Sequence, residues 1–265
     1  MSSHWEASSP ELKNTITHLQ KEITAILDAE LIGFYLHGSI AMGGFNPHTS
    51  DIDIVIVTDQ PIRVEMKRRL AKLLLLSSND PCPIEISFPH KGQLKEWQHP
   101  CEFDFHFSEF WRERYEGDML SGTSRWINDD IKTDADLAAH ITILHNRGIC
   151  VAGRPIHEVF PVVPRSDYIS SIVGDFHDCL ENIEEEPIYC TLNMIRVFWY
   201  LKEGVISSKQ EAGEWGVINL PEEFRMTIKK VNDCYSGKND DCTFTKEELV
   251  IIRDHFSDHV QELLR

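Results

Sequence analysis

No apolar run of about 18 residues or more occurs in this chain, which excludes a membrane-spanning helix on length alone. Met1 to Glu6 include neither a basic nor an apolar stretch, so no export signal is expected there. Cationic residues are scarce: 26 Lys and Arg face 43 Asp and Glu, a formal net charge of −17 with histidines neutral. Such a field repels phosphate backbones and argues against nucleic-acid binding through a basic face. It attracts and steers a cationic partner. The seven cysteines contain no C-x-x-C pair, so neither a zinc ribbon nor a disulfide framework is expected. They read as reduced, mostly buried thiols of a cytoplasmic protein, and a monomer is expected. A G-x-x-x-x-G-K-[ST] loop and a G-x-S-x-G elbow are both absent, which argues against a Walker ATPase and a serine hydrolase. Internal repeats and low-complexity tracts are absent too.

What is present suits two domains. The chain has 265 residues, 42% of them hydrophobic, enough for two modest cores. Ser9 and Pro10 open a helix whose stripe is Leu12, Ile16, Leu19, Ile23, Ile26 and Leu27. A strand from Leu31 to Leu36 ends at His37-Gly38-Ser39, and a glycine-rich connection leads to a second strand, Asp51 to Val57. A helix over 62–77 precedes a third strand, Ile84 to Phe88. Thr133-x-x-Asp136 has the form of a capping box for a helix to about 147, and Gly153 to Arg165, with three prolines, reads as a linker. Beyond it the periodicity is helical, closing with a second capping box at Thr245 and Glu248. The division expected is 1–156 as an α/β domain and 157–265 as a helical one. The aromatic run from Phe103 to Trp111 is expected at the packing between them.

The chemistry concentrates in Gly38-Ser39, Gly43-Gly44 and Asp51-Ile52-Asp53. Side chains alternate along a strand, so Asp51 and Asp53 share one face about 7 Å apart, with Ile52, Ile54 and Ile56 on the other. Two carboxylates held this way are costly unless a cation lies between them, and a divalent ion carrying a polyphosphate supplies one. A Gly-Ser turn lets backbone approach phosphate oxygens, with the hydroxyl as a donor. Glu85, flanked by Ile84 and Ile86, joins the aspartates if its strand neighbours theirs, adding a metal ligand that can also serve as a base.

The run from His37 to Asp53 resembles the G-S-x-x-x-G-G-x-x-P-x-S-D-I-D signature of the polymerase-β-like nucleotidyltransferases. Within that superfamily the chain is similar to the aminoglycoside adenylyltransferases that modify streptomycin and spectinomycin. A second motif carries that likeness: Arg196 to Tyr200, Gly204, Ser208 to Ala212, and Trp215. The resemblance implies an α+β fold, with a nucleotidyltransferase domain built on a mixed sheet followed by an all-α bundle. It implies AMP transfer from ATP to an antibiotic hydroxyl with release of pyrophosphate. Asp51 and Asp53 would hold Mg2+, Glu85 would be the base, and Gly38, Ser39 and Lys209 would meet the nucleotide phosphates. Glu186 falls where the family has an aspartate on the drug, and Phe110 or Trp111 where it has a stacking tryptophan. His177 and Asn182 stand where members acting on both drugs carry a tryptophan and a second acid, which shifts the expectation toward spectinomycin. One residue, Thr49, is extra in the loop before Asp51 and is expected to bulge.

Weaker signals have plainer readings. His255 and His259, four apart on the last helix, lack a third ligand, and Glu184 to Glu186 alone would be a solvated acidic turn. Two rivals to the main reading are the same transfer onto another small-molecule or protein hydroxyl, and a nucleotide sensor without turnover.

Overall fold

Ser9 opens the first helix, α1 (Pro10–Leu27), by accepting a hydrogen bond from the Leu12 amide at 3.2 Å, with Pro10 in the first turn where no amide is needed. The computed structural model describes residues 5–6, 8–47, 49–128 and 133–265, so His48 of the first motif lies outside the described residues. All six expected stripe residues of α1 are buried. There follow β1 (Leu31–Leu36), α2 (Gly38–Met42), β2 (Ile52–Thr58), α3 (Val64–Ser77) and β3 (Ile84–Phe88). Then come α4 (Lys91–Lys95), β4 (Cys101–Glu102), β5 (Phe105–Phe107), α5 (Arg112–Ser121), β6 (Thr133–Asp134), α6 (Leu137–Arg147), β7 (Ile149–Gly153) and α7 (Ile156–Val159).

Five strands form one mixed sheet in the order β5-β3-β2-β1-β7. Only β2 and β3 in it run parallel, joined by a crossover through α3; the other pairs are antiparallel. β4 and β6 make a separate two-stranded sheet. Alternation along β2 decides the layers. Ile52, Ile54 and Ile56 enter a core with Ile84, Ile86, Phe88 and the stripe of α1. Val55 and Val57 pack on the opposite face with Tyr35, Leu94, Ile141, Leu144 and Phe160.

The helices α8 (Arg165–Asn182), α9 (Pro187–Glu203), α10 (Lys209–Asn219), α11 (Arg225–Tyr235) and α12 (Lys246–Leu263) complete the chain. It divides into two compact units, Met1–Tyr168 and Ile169–Arg265. In the second, Phe176, Met194, Ile195, Phe198, Ile228 and Phe256 share one core. Reciprocal caps start α10 (Ser208 with Glu211) and α12 (Thr245 with Glu248).

Four expectations need correction. The Thr133–Asp136 box does not form: Thr133 is taken by the β4–β6 ladder, and the Asp136 amide donates to Asp134 Oδ1 at 2.7 Å. Gly153 to Arg165 is not a free linker, because β7 ends there and Phe160 is buried edge-on against Tyr35. Phe105 and Phe107 are core of the first unit itself, on β5. Cys234 and Cys242 are joined by a disulfide, with Cα atoms 5.8 Å apart, where two free thiols were expected. The other five cysteines are free, four of them buried.

Ile54 is 1% exposed on the strand that carries the motif aspartates. Ile54→Ala should lower the unfolding free energy by about 2–5 kcal/mol, read from urea denaturation followed by far-UV circular dichroism. A loss well below 1 kcal/mol would show that this face of β2 is not tightly packed.

Candidate active site

The second face of the central sheet runs out of apolar cover at one end. Asp51 immediately precedes β2 and Asp53 is its second residue, on the face that carries Val55 and Val57 farther along. The parallel register sets Asp53 beside Glu85 and Ile52 beside Ile84. Sequence spacing put the two aspartates on one face; pairing of β2 with β3 adds Glu85 to it.

The turn before this strand is built against Asp53. The His37 amide donates to the Asp53 carbonyl at 3.1 Å. Gly38 has φ +56°, and a Cβ there would collide with the Asp53 carboxylate, so both conformation and space demand glycine. Ser39 follows on α2, and its Oγ is buried without a hydrogen-bond partner. A buried hydroxyl with no partner at a Gly-Ser turn is a donor held for something that the chain itself does not supply. Farther on, the Thr49 and Ser50 amides both reach back to the Asn46 carbonyl, so the extra residue is taken up in a turn ahead of Asp51.

Burial, and after it the nearby charges, show in the titration of Glu85. Burial pushes its pKa up to about 7, with His140 opposing the rise and Asp53, Asp134 and Asp51 adding to it. His140, on α6, and His37 form a pair that spacing did not reveal: their ring centroids are 4.4 Å apart. Burial and the neighbouring His140 hold His37 well below the usual histidine range. For His140 burial also opposes the charge, but Glu85, Asp134, Asp136 and Asp53 carry its pKa above the ordinary value. His37 could have been suspected from its place next to Gly38. His140 could not, since one histidine in an amphipathic helix carries no spacing signal.

Among the described residues no three His, Cys, Asp or Glu side chains close around a common point. The donor set nonetheless suits Mg2+. That ion prefers hard oxygen ligands and is held by one or two carboxylates plus phosphate oxygens and water, rather than by an all-protein cage. An open row of carboxylates beside an unpartnered Ser39 hydroxyl has that character.

The remaining expected residues separate. Phe110 is 72% exposed, whereas Trp111 stacks on buried Tyr115 with centroids 5.9 Å apart. The Arg114 guanidinium lies 4.8 Å from the Phe110 centroid and 4.7 Å from that of Trp111. In the second unit, His177 lines a groove of about 310 Å³ with Leu180, Glu181, Arg253, Asp254 and Ser257. The Asn182 amide is turned back to the Asp178 carbonyl, and Lys246 pairs with Glu184 at 2.8 Å. Glu186 is exposed at the start of α9. Lys209 is the first residue of α10, its Nζ 4.1 Å from the Tyr189 ring centroid. His255 and His259 stack at 4.1 Å, and His255 packs on Phe224, which accounts for the pair as helix packing.

Comparison with known proteins finds two family matches along the chain. Residues 20–110 match the family model described as a nucleotidyltransferase domain, and residues 158–259 the one described as the C-terminal domain of aminoglycoside adenylyltransferases. A spectinomycin 9-adenylyltransferase of Campylobacter jejuni is 24% identical, over 91% of this chain and 92% of its own length. An aminoglycoside (3'') (9) adenylyltransferase of Escherichia coli is 24% identical over 89% of each. Among solved structures, a spectinomycin adenyltransferase of Enterococcus faecalis, crystallised with ATP and spectinomycin, superposes with a TM-score of 0.79 at 21% identity. The match covers 94% of this chain and 99% of that one, and it shows the fold.

The state of Glu85 makes the folded protein sensitive to pH. A carboxyl with a folded pKa of about 7, raised from 4.5, holds its proton more tightly folded than unfolded. The stability this gives is full below the unfolded value and is lost as pH rises through the folded one. In metal-free buffer, Glu85→Gln should therefore gain on wild type in thermal midpoint between about pH 5 and pH 8, levelling off above. A constant difference across that range, by differential scanning calorimetry, would contradict the raised pKa of Glu85.

Proposed function

The chain belongs to the aminoglycoside nucleotidyltransferases, and from that premise we propose that it transfers AMP from ATP to a hydroxyl of an aminocyclitol antibiotic, spectinomycin before streptomycin. The observation that carries the chemistry is the Asp53–Glu85 register beside the Gly38–Ser39 turn. Gly38 and Ser39 bind phosphate oxygens of ATP, the glycine by leaving the backbone open and the serine through its unpartnered hydroxyl. Lys209 is assigned to the same phosphates. Asp51, Asp53 and Glu85 would hold Mg2+, which when bound neutralises triphosphate charge.

Glu85 takes the proton from the acceptor hydroxyl. A base with a pKa of about 7 is poised for this at neutral pH, where both of its forms are populated. The resulting oxygen attacks the α-phosphorus in line, a new P–O bond forms, and the bond to the bridging oxygen breaks to release pyrophosphate. The chain's share of the catalysis is positioning and charge compensation.

The acceptor is read from charge and from what is already engaged. A net charge of −17 steers a cationic molecule inward, and Glu185 and Glu186 are exposed at the head of α9. Phe110 is an exposed aromatic ring, with the Arg114 guanidinium beside it. A drug with two guanidinium groups needs paired acids. Asn182 is no acid and is bonded to its own helix, and Glu184 is held by Lys246. Losing one desolvated charge partner costs about 2–5 kcal/mol, roughly 30-fold or more in affinity. Spectinomycin, without guanidinium groups, does not incur it.

Steady-state kinetics at saturating Mg-ATP test both halves. kcat/KM for spectinomycin should exceed that for streptomycin by about 30-fold or more; equal values would overturn the acceptor assignment. In Glu85→Gln, ATP binding should persist while transfer falls by roughly 10²–10⁴-fold. Joint loss of binding and transfer would make Glu85 a metal ligand first and place the base elsewhere.

A further inference from the structure

Tyr189, Asn193 and Arg196 sit at positions i, i+4 and i+7 of α9, on one side of the helix. All three connect to the segment that carries Lys209. The Arg196 guanidinium donates from Nε to the Ser207 carbonyl at 3.0 Å and from a terminal nitrogen to Asn193 Oδ1 at 3.3 Å. Ser207 precedes Ser208, the cap of α10, whose hydroxyl accepts from the Glu211 amide at 3.1 Å. Lys209 comes next, its ammonium 4.1 Å from the Tyr189 ring centroid. Both strands of this network end on one carboxylate across the helix pair. Asp175 of α8 accepts from the Asn193 amide at 2.6 Å and from the Tyr189 hydroxyl at 3.1 Å.

We infer that Asp175 is a positioning residue for Lys209, acting through Tyr189 on its ammonium and through Asn193 and Arg196 on its backbone. The inference rests on the assignment of Lys209 to the nucleotide phosphates. A free lysine side chain gives up rotamer entropy when its ammonium is fixed on a ligand. Seating that ammonium on an aromatic face beforehand removes part of the loss at the moment of binding. Asp175 steadies the seat, because a phenol that swings away gives up its hydrogen bond to a carboxylate. The same bond draws electron density toward the ring, which strengthens its hold on a cation. The second strand fixes the loop from which Lys209 projects, so the stem and the tip of one side chain are governed by one acid.

A binding cycle separates this role from a merely structural one. The affinity of a non-hydrolysable ATP analogue with Mg2+ is measured by calorimetric titration on the full chain. The proteins are wild type, Asp175→Asn, Lys209→Met and the double variant, and each one's thermal midpoint is recorded. Lys209→Met should weaken binding by about 10- to 100-fold, the loss of one charge-assisted contact. Asp175→Asn should weaken it by about 3- to 10-fold, and the double variant should bind no worse than Lys209→Met alone. Tyr189→Phe keeps the ring and removes the hydroxyl; it should reproduce part of the Asp175→Asn effect at an unchanged midpoint, and it carries the test if Asp175→Asn does not fold. A full Asp175→Asn or Tyr189→Phe loss that persists in the Lys209→Met background would overturn the inference alone. Unchanged affinity in Lys209→Met would remove Lys209 from the nucleotide and overturn the inference together with the assignment beneath it.

Discussion

Parallel pairing of β2 with β3 is the constraint on which the site depends. It sets two acids, Asp53 and Glu85, side by side on neighbouring strands, with Asp51 two residues before Asp53. Like charges opposed across a sheet are destabilising, and burial, with the neighbouring aspartates adding to it, lets Glu85 hold its proton up to a pKa of about 7. The molecule withstands this because the other face of the same strands packs Ile52, Ile54 and Ile56 with Ile84, Ile86 and Phe88. Ile52, Ile54 and Ile56 are no more than 1% exposed, and a one-residue slip would bury the acids in their place. Core packing thus fixes register, and register fixes the site.

The surroundings are shaped to the same arrangement. Gly38 leaves the room that the Asp53 carboxylate fills, and the His37 amide ties the turn to the strand. The His37–His140 pair covers the sheet beside the acids, one ring uncharged by burial and the other drawn toward charge by the carboxylates. In the second unit a different acid, Asp175, organises a different cation, Lys209, through aromatic and amide intermediaries. On the proposed reading, the first group of acids serves a metal and a base, and Lys209 serves the nucleotide phosphates.

What could be read from spacing was what has a period or a local pattern. The alternation of Asp51-Ile52-Asp53-Ile54, the Gly38-Ser39 turn, the Ser9 cap and the Thr245–Glu248 box all stand as written in the chain. Glu85 was conditional on strand order, which no single strand reveals. The Thr133–Asp136 pattern had the letters of a cap, but a two-residue ladder to Cys101 and Glu102 claimed Thr133, a long-range pairing that outcompetes a local one. Asp175 was invisible for a related reason. Its partners Tyr189 and Asn193 lie four residues apart on another helix, so its meaning lies in the packing of α8 on α9 rather than in its own neighbourhood. The Cys234–Cys242 link escaped because an odd cysteine count without a C-x-x-C pair pointed toward reduced thiols.

We propose adenylyl transfer by the carboxylate face of β2 and β3. Its most direct test is mass spectrometry of spectinomycin after incubation with Mg-ATP and either wild type or Asp53→Asn, with pyrophosphate release followed in parallel. Wild type should add one AMP per antibiotic and release one pyrophosphate for each. Asp53→Asn should do neither, at a thermal midpoint equal to or above that of wild type, since one repelling charge is gone. Magnesium-dependent transfer surviving in Asp53→Asn would contradict the claim.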